Sequence, residues 1–313
     1  MSADSRPAAH LSLAAVVVVW AGAFASIKAL LEHGTSPEDV ALLRYLVAAP
    51  GFAALLWLAR GLPGLRRGDA LRIAAAGVLV VAGYHLSLNV GSRSTTAGTA
   101  ALVVALAPSL TLGLSAAVGL ERLTAARGLG LAIAFAGVAI VILLGAGEDL
   151  SLENARGPLI VLGAPLSFAL YNVILRPLLG RYGVLPLTAA TSLAGTVALL
   201  PFVRPATVEG LARMPARDLA LVVYLGVVCT FLGYVAWNVG LRGLGPTRAV
   251  AYAYGIPPLA VVIGALTLAE PVTAWLVAGG VLVVAGVALA QRPTRRDRDA
   301  RIAPGPALAP EES

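Results

Sequence analysis

Read for polarity alone, the chain is a series of apolar runs separated by short polar breaks. They cover roughly Leu11–Leu31, Val40–Ala59, Leu71–Val90, Thr95–Val118 and Gly128–Leu144. After a break they resume at roughly Pro158–Leu175, Val184–Val203, Leu219–Leu241, Ala249–Leu268 and Thr273–Ala290. Each run is about 20 residues, the length at which a helix rising about 1.5 Å per residue crosses a hydrocarbon core of about 30 Å. The pattern predicts an all-α integral membrane protein of about ten transmembrane helices. Met1–His10 is a polar lead. The tail 291–313, rich in Arg, Asp and Pro and without apolar period, is expected to be disordered. Ala23-Phe24-Ala25 resembles a signal-peptide cleavage site, but the apolar run around it is too long for one.

The runs repeat. An offset of about 149 residues sets Asn89 on Asn238, Arg93 on Arg242, Pro108 on Pro257, Glu121 on Glu270 and Thr124 on Thr273. It also sets Gly130 on Gly279, Gly137-Val138-Ala139 on Gly286-Val287-Ala288, and Pro37 on Pro186. Matching Ala, Val and Leu would mean little in so apolar a chain; Asn, Arg, Pro and Glu in one register mean duplication. The units are 11–144 and 157–290, with five spans each. An odd number of spans makes the second unit enter from the opposite face, the inverted-repeat arrangement of many carriers.

Composition agrees. Of 313 residues, 58% are hydrophobic and 12% charged, about half the charge of a soluble protein. The net charge of +7 comes from arginines in short loops and the tail, so lipid headgroups rather than nucleic acid explain it. Loops holding Arg60, Arg66, Arg67, Arg72, Arg122, Arg127, Arg176, Arg181, Arg242 and Arg248 fall on one side. The acidic loops Leu31–Asp39 and Gly145–Arg156 fall on the other. This bias places both termini in the cytoplasm of a multi-pass plasma-membrane protein. Arg204, Arg213 and Arg217 run against it, partly offset by Glu209 and Asp218. A single cysteine, Cys229, and three scattered histidines exclude a disulfide frame or a metal cage, and no cofactor is expected.

The blocks GLERLTAARGLGLAIAFAGVAIVI and LTLAEPVTAWLVAGGVLVVAGVALA resemble the repeated signature of the EamA family, within the drug/metabolite transporter superfamily. Trp20-Ala21-Gly22-Ala23-Phe24 through Lys28, and Leu43-Arg44-Tyr45 after Ser36-Pro37, are similar to that family as well. The resemblance covers Leu11 to Ala290. It implies ten helices in two repeats, cytoplasmic termini and secondary transport, with export favoured. It also implies a cavity between the first, third, fourth, sixth, eighth and ninth spans. It leaves the substrate open: amino acids, other metabolites and drugs are all carried by members.

Chemistry narrows the choice. The only lysine, Lys28, is not part of a Walker A loop, so ATP hydrolysis by that route is excluded. Every Asp and Glu lies in a loop or at a span end, which argues against an intramembrane carboxylate that relays protons or neutralises a cationic drug. The expected function is a secondary transporter, on balance an exporter, of small metabolites such as amino acids. The alternatives are a multidrug exporter of the same fold and, more remotely, an intramembrane lipid-modifying enzyme. That enzyme lacks the paired carboxylates or His/Asp pair it would need in the spans. The partners are a small-molecule substrate and the bilayer; nothing sets an oligomeric state.

Lys28, Arg44 and His85 are the ionisable groups within spans, all towards the outer end. They either attract a substrate carboxylate or, for Lys28 and Arg44, snorkel to the interface, with His85 a structural histidine. Lys28 and His85 enter the candidate cavity set, and Arg44 is read as snorkelling. Trp20, Tyr84, Tyr171, Asn172, Tyr234 and Tyr252 complete the set, since a small-molecule pocket needs an apolar wall with a few polar groups. Trp237, Trp57 and Trp275 fit an interfacial belt. Asn89 and Asn238 read as caps or interhelical hydrogen bonds, and Glu121 and Glu270 as turn-fixing groups. Pro108 and Pro257, mid-span and equivalent, predict kinks suited either to a gate or to a static bend. Small residues spaced by four, Ala126-Gly130-Ala134 and Ala274, Ala278, Gly286 and Ala290, predict helix-contact faces.

Overall fold

The computed structural model describes residues 5–145 and 152–292, so the expected disordered tail lies almost wholly outside the described residues. Among these residues there are helices and turns but no strand. Nine helices of the described residues are long and apolar enough to cross a membrane: α1 (Pro7–Glu32), α2 (Pro37–Leu58), α3 (Arg67–Ser92), α4 (Ala97–Ala117), α5 (Ala125–Leu144), α6 (Asn154–Tyr182), α7 (Val184–Phe202), α8 (Ala216–Leu244) and α9 (Arg248–Leu268). A shorter apolar helix, α10 (Ala274–Ala290), follows them.

α1, α2, α3, α5, α6 and α8 are longer than their apolar runs, because apolarity sets the span while local features such as capping set the helix. Ser36, Thr96, Thr124 and Thr273 each accept a hydrogen bond from the backbone N–H three residues on, which starts α2, α4, α5 and α10. Thr124 and Thr273 are equivalent under the repeat. A short helix, Pro205–Ala212, lies between α7 and α8.

Two departures from regular helix recur in equivalent elements. α4 is broken at Ala105–Leu106 and restarts at Ala107, with Pro108 in the first turn of the new segment. α9 is broken at Tyr254–Gly255 and restarts at Ile256, with Pro257 in the same place. Proline has no N–H and cannot continue the ladder behind it, but it fits a first turn. α3 and α8 each contain a π-helical segment, Val78–Gly83 and Tyr224–Leu232. They end at equivalent residues. The sequence reading did not foresee them.

Close crossings hold the bundle together. α5 and α10 run antiparallel: Gly130 lies against Gly286 and Ala290, and Gly137 against Gly279 and Val283. A Cβ on Gly137 would stand 2.7 Å from the Gly279 carbonyl oxygen. Elsewhere the second helix of one unit meets the third of the other. Gly77 of α3 sits on the α7 backbone, and its equivalent Gly226 of α8 sits on α2, where a Cβ would be 2.7 Å from the Arg44 carbonyl oxygen. In lipid such backbone approach, through dispersion and polar contact, drives association.

The two faces of the bundle differ. The one where α1 ends is acidic, with Glu32, Glu38, Asp39 and Asp218. The opening segment of α4 (Ala97–Val104) packs there on the second segment of α9 (Ile256–Leu268). Glu270 accepts the Ala97 N–H at 2.7 Å and the Gly98 N–H at 3.4 Å. These are free donors of a helix start, where a carboxylate is also favoured by the helix dipole. On the Arg-rich face the equivalent Glu121 instead pairs with Arg176 at 3.1 Å and Arg127 at 3.7 Å. The start of α9 packs there on α8 and α1, and the second segment of α4 (Ala107–Ala117) packs on α6.

Two of the arginines that ran against the loop bias, Arg204 and Arg217, pair with carboxylates on the acidic face, Arg217 with the expected Asp218. Arg204 reaches Glu38 at 3.8 Å and Asp39 at 3.7 Å, rather than depending on Glu209. Arg217 lies 3.5 Å from Asp218, which also holds the His33 ring at 2.8 Å.

Candidate functional site

Midway through the bundle, aromatic and polar side chains from both units converge. From α1, Trp20 stacks on Trp237 of α8 at 5.5 Å and meets the edge of Tyr234 at 5.9 Å. Its indole N–H donates to the Cys229 carbonyl at 2.9 Å in the π segment of α8. That segment frees carbonyls from the i−4 ladder, which is how such irregularities come to serve sites. From α3, Tyr84 packs on Phe168 of α6 at 6.3 Å, and Phe168 on Tyr171 at 5.8 Å. Phe52 of α2 joins through Tyr234 at 6.3 Å. Tyr84 and Tyr171 both lie within electrostatic reach of Tyr234. Trp20, Tyr84, Phe168, Tyr171, Tyr234 and Trp237 each keep part of their surface open, and the contacts of Trp20 with Tyr234 and Trp237 and of Tyr84 with Phe168 cross between helices. The wall they form is apolar in body and polar at the hydroxyls, as small-molecule sites are.

At one side of this wall His85 is 2% exposed, with its ring 4.8 Å from Tyr84 and 4.9 Å from Tyr45. Its Nδ1 meets the Val80 carbonyl at 3.3 Å. Beside it is Arg44 of α2. Sequence reasoning sent Arg44 to the interface; the structure buries it, at 8% exposure, with Nε donating to Thr230 of α8 at 2.5 Å. The correction follows from packing: Gly226 lets α8 close on α2 at Arg44, and Thr230 of α8 holds the side chain inside the bundle.

The structure thus brings together Trp20, Tyr84, His85, Tyr171 and Tyr234, and adds Arg44, Tyr45 and Phe52 from α2. Asn172 is on the same helix as Tyr171, with its amide donating to the Phe168 carbonyl at 2.8 Å. Two members stand apart. Tyr252 meets His10 at 2.6 Å between their Oη and Nδ1, at the Arg-rich end of α1. Lys28 is at the acidic face, donating to the Ser92 carbonyl at 3.2 Å, the Arg93 carbonyl at 3.5 Å, and 3.6 Å from Glu32. A cation there complements the C-terminus of α3. With Glu32, Thr96, Thr99, Asn154 and Glu270 it lines a cavity of about 360 Å³, separate from the aromatic wall.

Trp237 belongs to the interior stack rather than to an interfacial belt, whereas Trp57 at 78% and Trp275 at 43% exposure face outward. Asn89 makes an interhelical bond, donating to the Pro37 carbonyl at 2.9 Å, and Asn238 bonds within its own helix. Among the described residues no group of three or more His, Cys, Asp or Glu could hold a metal ion.

Comparisons place this arrangement among known proteins. A "Probable terminal-alkyne amino-acid exporter" of Streptantibioticus cattleyicolor is 34% identical over 297 residues, 94% of this chain and 97% of its own. An "Uncharacterized transporter" of Archaeoglobus fulgidus is 32% identical over 90% of this chain and 97% of its own. A "Probable amino-acid metabolite efflux pump" of Salmonella typhimurium is 27% identical over 92% of this chain and 96% of its own. A solved crystal structure, 23% identical and covering 92% of this chain and 97% of its own, superposes with a TM-score of 0.61, so the fold is shared. The model of the EamA-like transporter family matches twice, at residues 8–143 and 155–291. With both units matched, the chain is a multi-pass membrane transporter and belongs to the EamA-like transporter family.

Proposed function

We propose that the protein exports amino acids or related small metabolites across the plasma membrane by alternating access, with both termini in the cytoplasm. The two units, 11–144 and 157–290, act as inverted repeats of five spans each, and the aromatic wall between them holds the solute. The single observation that carries this reading is the unequal closure of equivalent elements. Broken helices α4 and α9 embrace at the acidic face, where Glu270 caps α4, whereas towards the Arg-rich face the second segment of α4 packs on α6 and the first segment of α9 on α8 and α1. Two inverted units can exchange these arrangements and so expose one site to either side in turn. The antiparallel contact of equivalent helices α5 and α10 supports the inversion. The names of the Streptantibioticus and Salmonella relatives support the substrate class. A buried Asp or Glu at the wall, which a carrier of lipophilic cations would use, is not found among the described residues.

The test is efflux from liposomes that hold the purified full chain and radiolabelled amino acids. Saturable efflux, accelerated by unlabelled solute outside, is expected. Movement of lipophilic cations alone would replace this reading with multidrug export, and non-saturating flux would replace it with a channel.

A further inference from the structure

α2 carries one charge into the interior without a partner to match. Arg44 lies about seven residues past Pro37 in α2, roughly 10 Å from the acidic face at 1.5 Å per residue. Its Nε is held by Thr230, whose hydroxyl donates in turn to the Leu225 carbonyl at 2.8 Å and so turns its oxygen toward the guanidinium. Beyond that bond, neither terminal nitrogen has a hydrogen-bond partner and no Asp or Glu pairs with Arg44 among the described residues. Other buried ions are matched: Asp69 has Arg181 and the Tyr182 hydroxyl, and Asp218 has His33. A guanidinium stays charged, and taking it out of water costs several kcal/mol unless an anion and hydrogen bonds compensate.

The neighbouring residue repeats the signal. Tyr45 is fully buried, and its hydroxyl has only the Tyr234 hydroxyl beside it, without a well-formed hydrogen bond. Poorly satisfied polar groups in an interior call for an explanation. Here they lie together, beside Tyr84, His85 and Tyr234, and the strongest unmet demand is for an anionic acceptor. A planar fork of donors matches a carboxylate bidentately. With one guanidinium at this site and Lys28 engaged elsewhere, the charge matches a monoanion better than a phosphate.

We propose that Arg44 binds the carboxylate of the transported solute through its two terminal nitrogens, with the apolar body of the solute against Trp20, Tyr84 and Tyr234. The ligand class is amphipathic carboxylates, amino acids included. This rests on the transporter reading above and names the group that would select its substrate.

The experiment compares each proteinogenic amino acid with its own carboxamide, using thermal melting of the full chain and its tryptophan fluorescence, since Trp20 and Trp237 border the site. Ligand binding to the folded state raises the melting temperature. Acids should bind at least about tenfold more tightly than their amides, the scale of a lost charged hydrogen bond. Arg44→Lys, which keeps the charge but not the fork, should weaken the acids, and Arg44→Gln should bind acid and amide alike. The wild-type comparison needs no variant, so misfolding of Arg44→Gln would not hide the answer. Equal binding of acids and amides by a wild-type protein that still exports amino acids would overturn the assignment and leave the transporter reading intact. Liposomes that export no amino acid would remove that reading, and this one with it.

Discussion

Tyr45 shows how single residues divide stability from function here. Its ring packs edge-on against His85, while its hydroxyl has only the Tyr234 hydroxyl beside it, without a well-formed hydrogen bond. An unsatisfied buried hydroxyl costs about 1–3 kcal/mol, so replacing it with hydrogen should stabilise. Tyr45→Phe should therefore raise the melting temperature of the ligand-free protein and shrink the further rise caused by a bound amino acid. Melting curves with and without solute check both. At this scale the sequence was half legible. Aromatic and polar clustering on the third, sixth and eighth spans pointed to Tyr84, Tyr171 and Tyr234, because residues of one helix bring their neighbours with them. Arg44 and Lys28 looked alike as in-span cations, since which one is buried depends on a glycine about 180 residues away, Gly226. A local difference was present all the same. Lys28 has Glu32 one turn on, whereas the residues one turn from Arg44 are Val40, Ala41, Val47 and Ala48.

Among the elements, α4 and α9 are the moving parts of the proposed cycle, and Glu270 is the contact that distinguishes their ends. Its carboxylate sits on two free donors at the start of α4, a charge-assisted arrangement that a neutral amide weakens by about 1–2 kcal/mol. Glu270→Gln should open the acidic face more often. A cysteine at Thr99, in the cavity behind that contact, should then react faster with a membrane-impermeant maleimide, while the buried Cys229 stays protected. The spans themselves were readable because a hydrophobic run of that length has one use. The breaks at Pro108 and Pro257 were readable because proline removes a donor. The π segments in α3 and α8 were not, since an extra residue per turn is set by tertiary packing and leaves no polar mark.

Across the whole molecule, a glycine seam joins the units. Gly130, Gly137, Gly279 and Gly286 put the backbones of α5 and α10 in contact. A methyl group there must push backbone, which does not yield as a side-chain tip would. Gly286→Ala should lower stability by about 1–3 kcal/mol, whereas Gly128→Ala, whose Cβ would meet only Leu123 at 3.9 Å, should be neutral or slightly favourable. Parallel melting curves separate them. Small residues at spacing four announced this seam in the sequence. The crossings of α2 with α8 and α3 with α7 were not announced, because they depend on how the two units interleave rather than on any pattern within one.

The cap on α4 has a kinetic consequence. Under the repeat, Ala97 and Gly98 correspond to Pro246 and Thr247. Proline offers no amide hydrogen. A clasp of Glu121 on the start of α9 would therefore close with one N–H where the opposite clasp uses two. The two resting conformations of such a carrier would be unequal in energy before any solute arrives. On the proposed export cycle the protein would wait with the acidic face shut, and the empty return would be the downhill limb of each turnover.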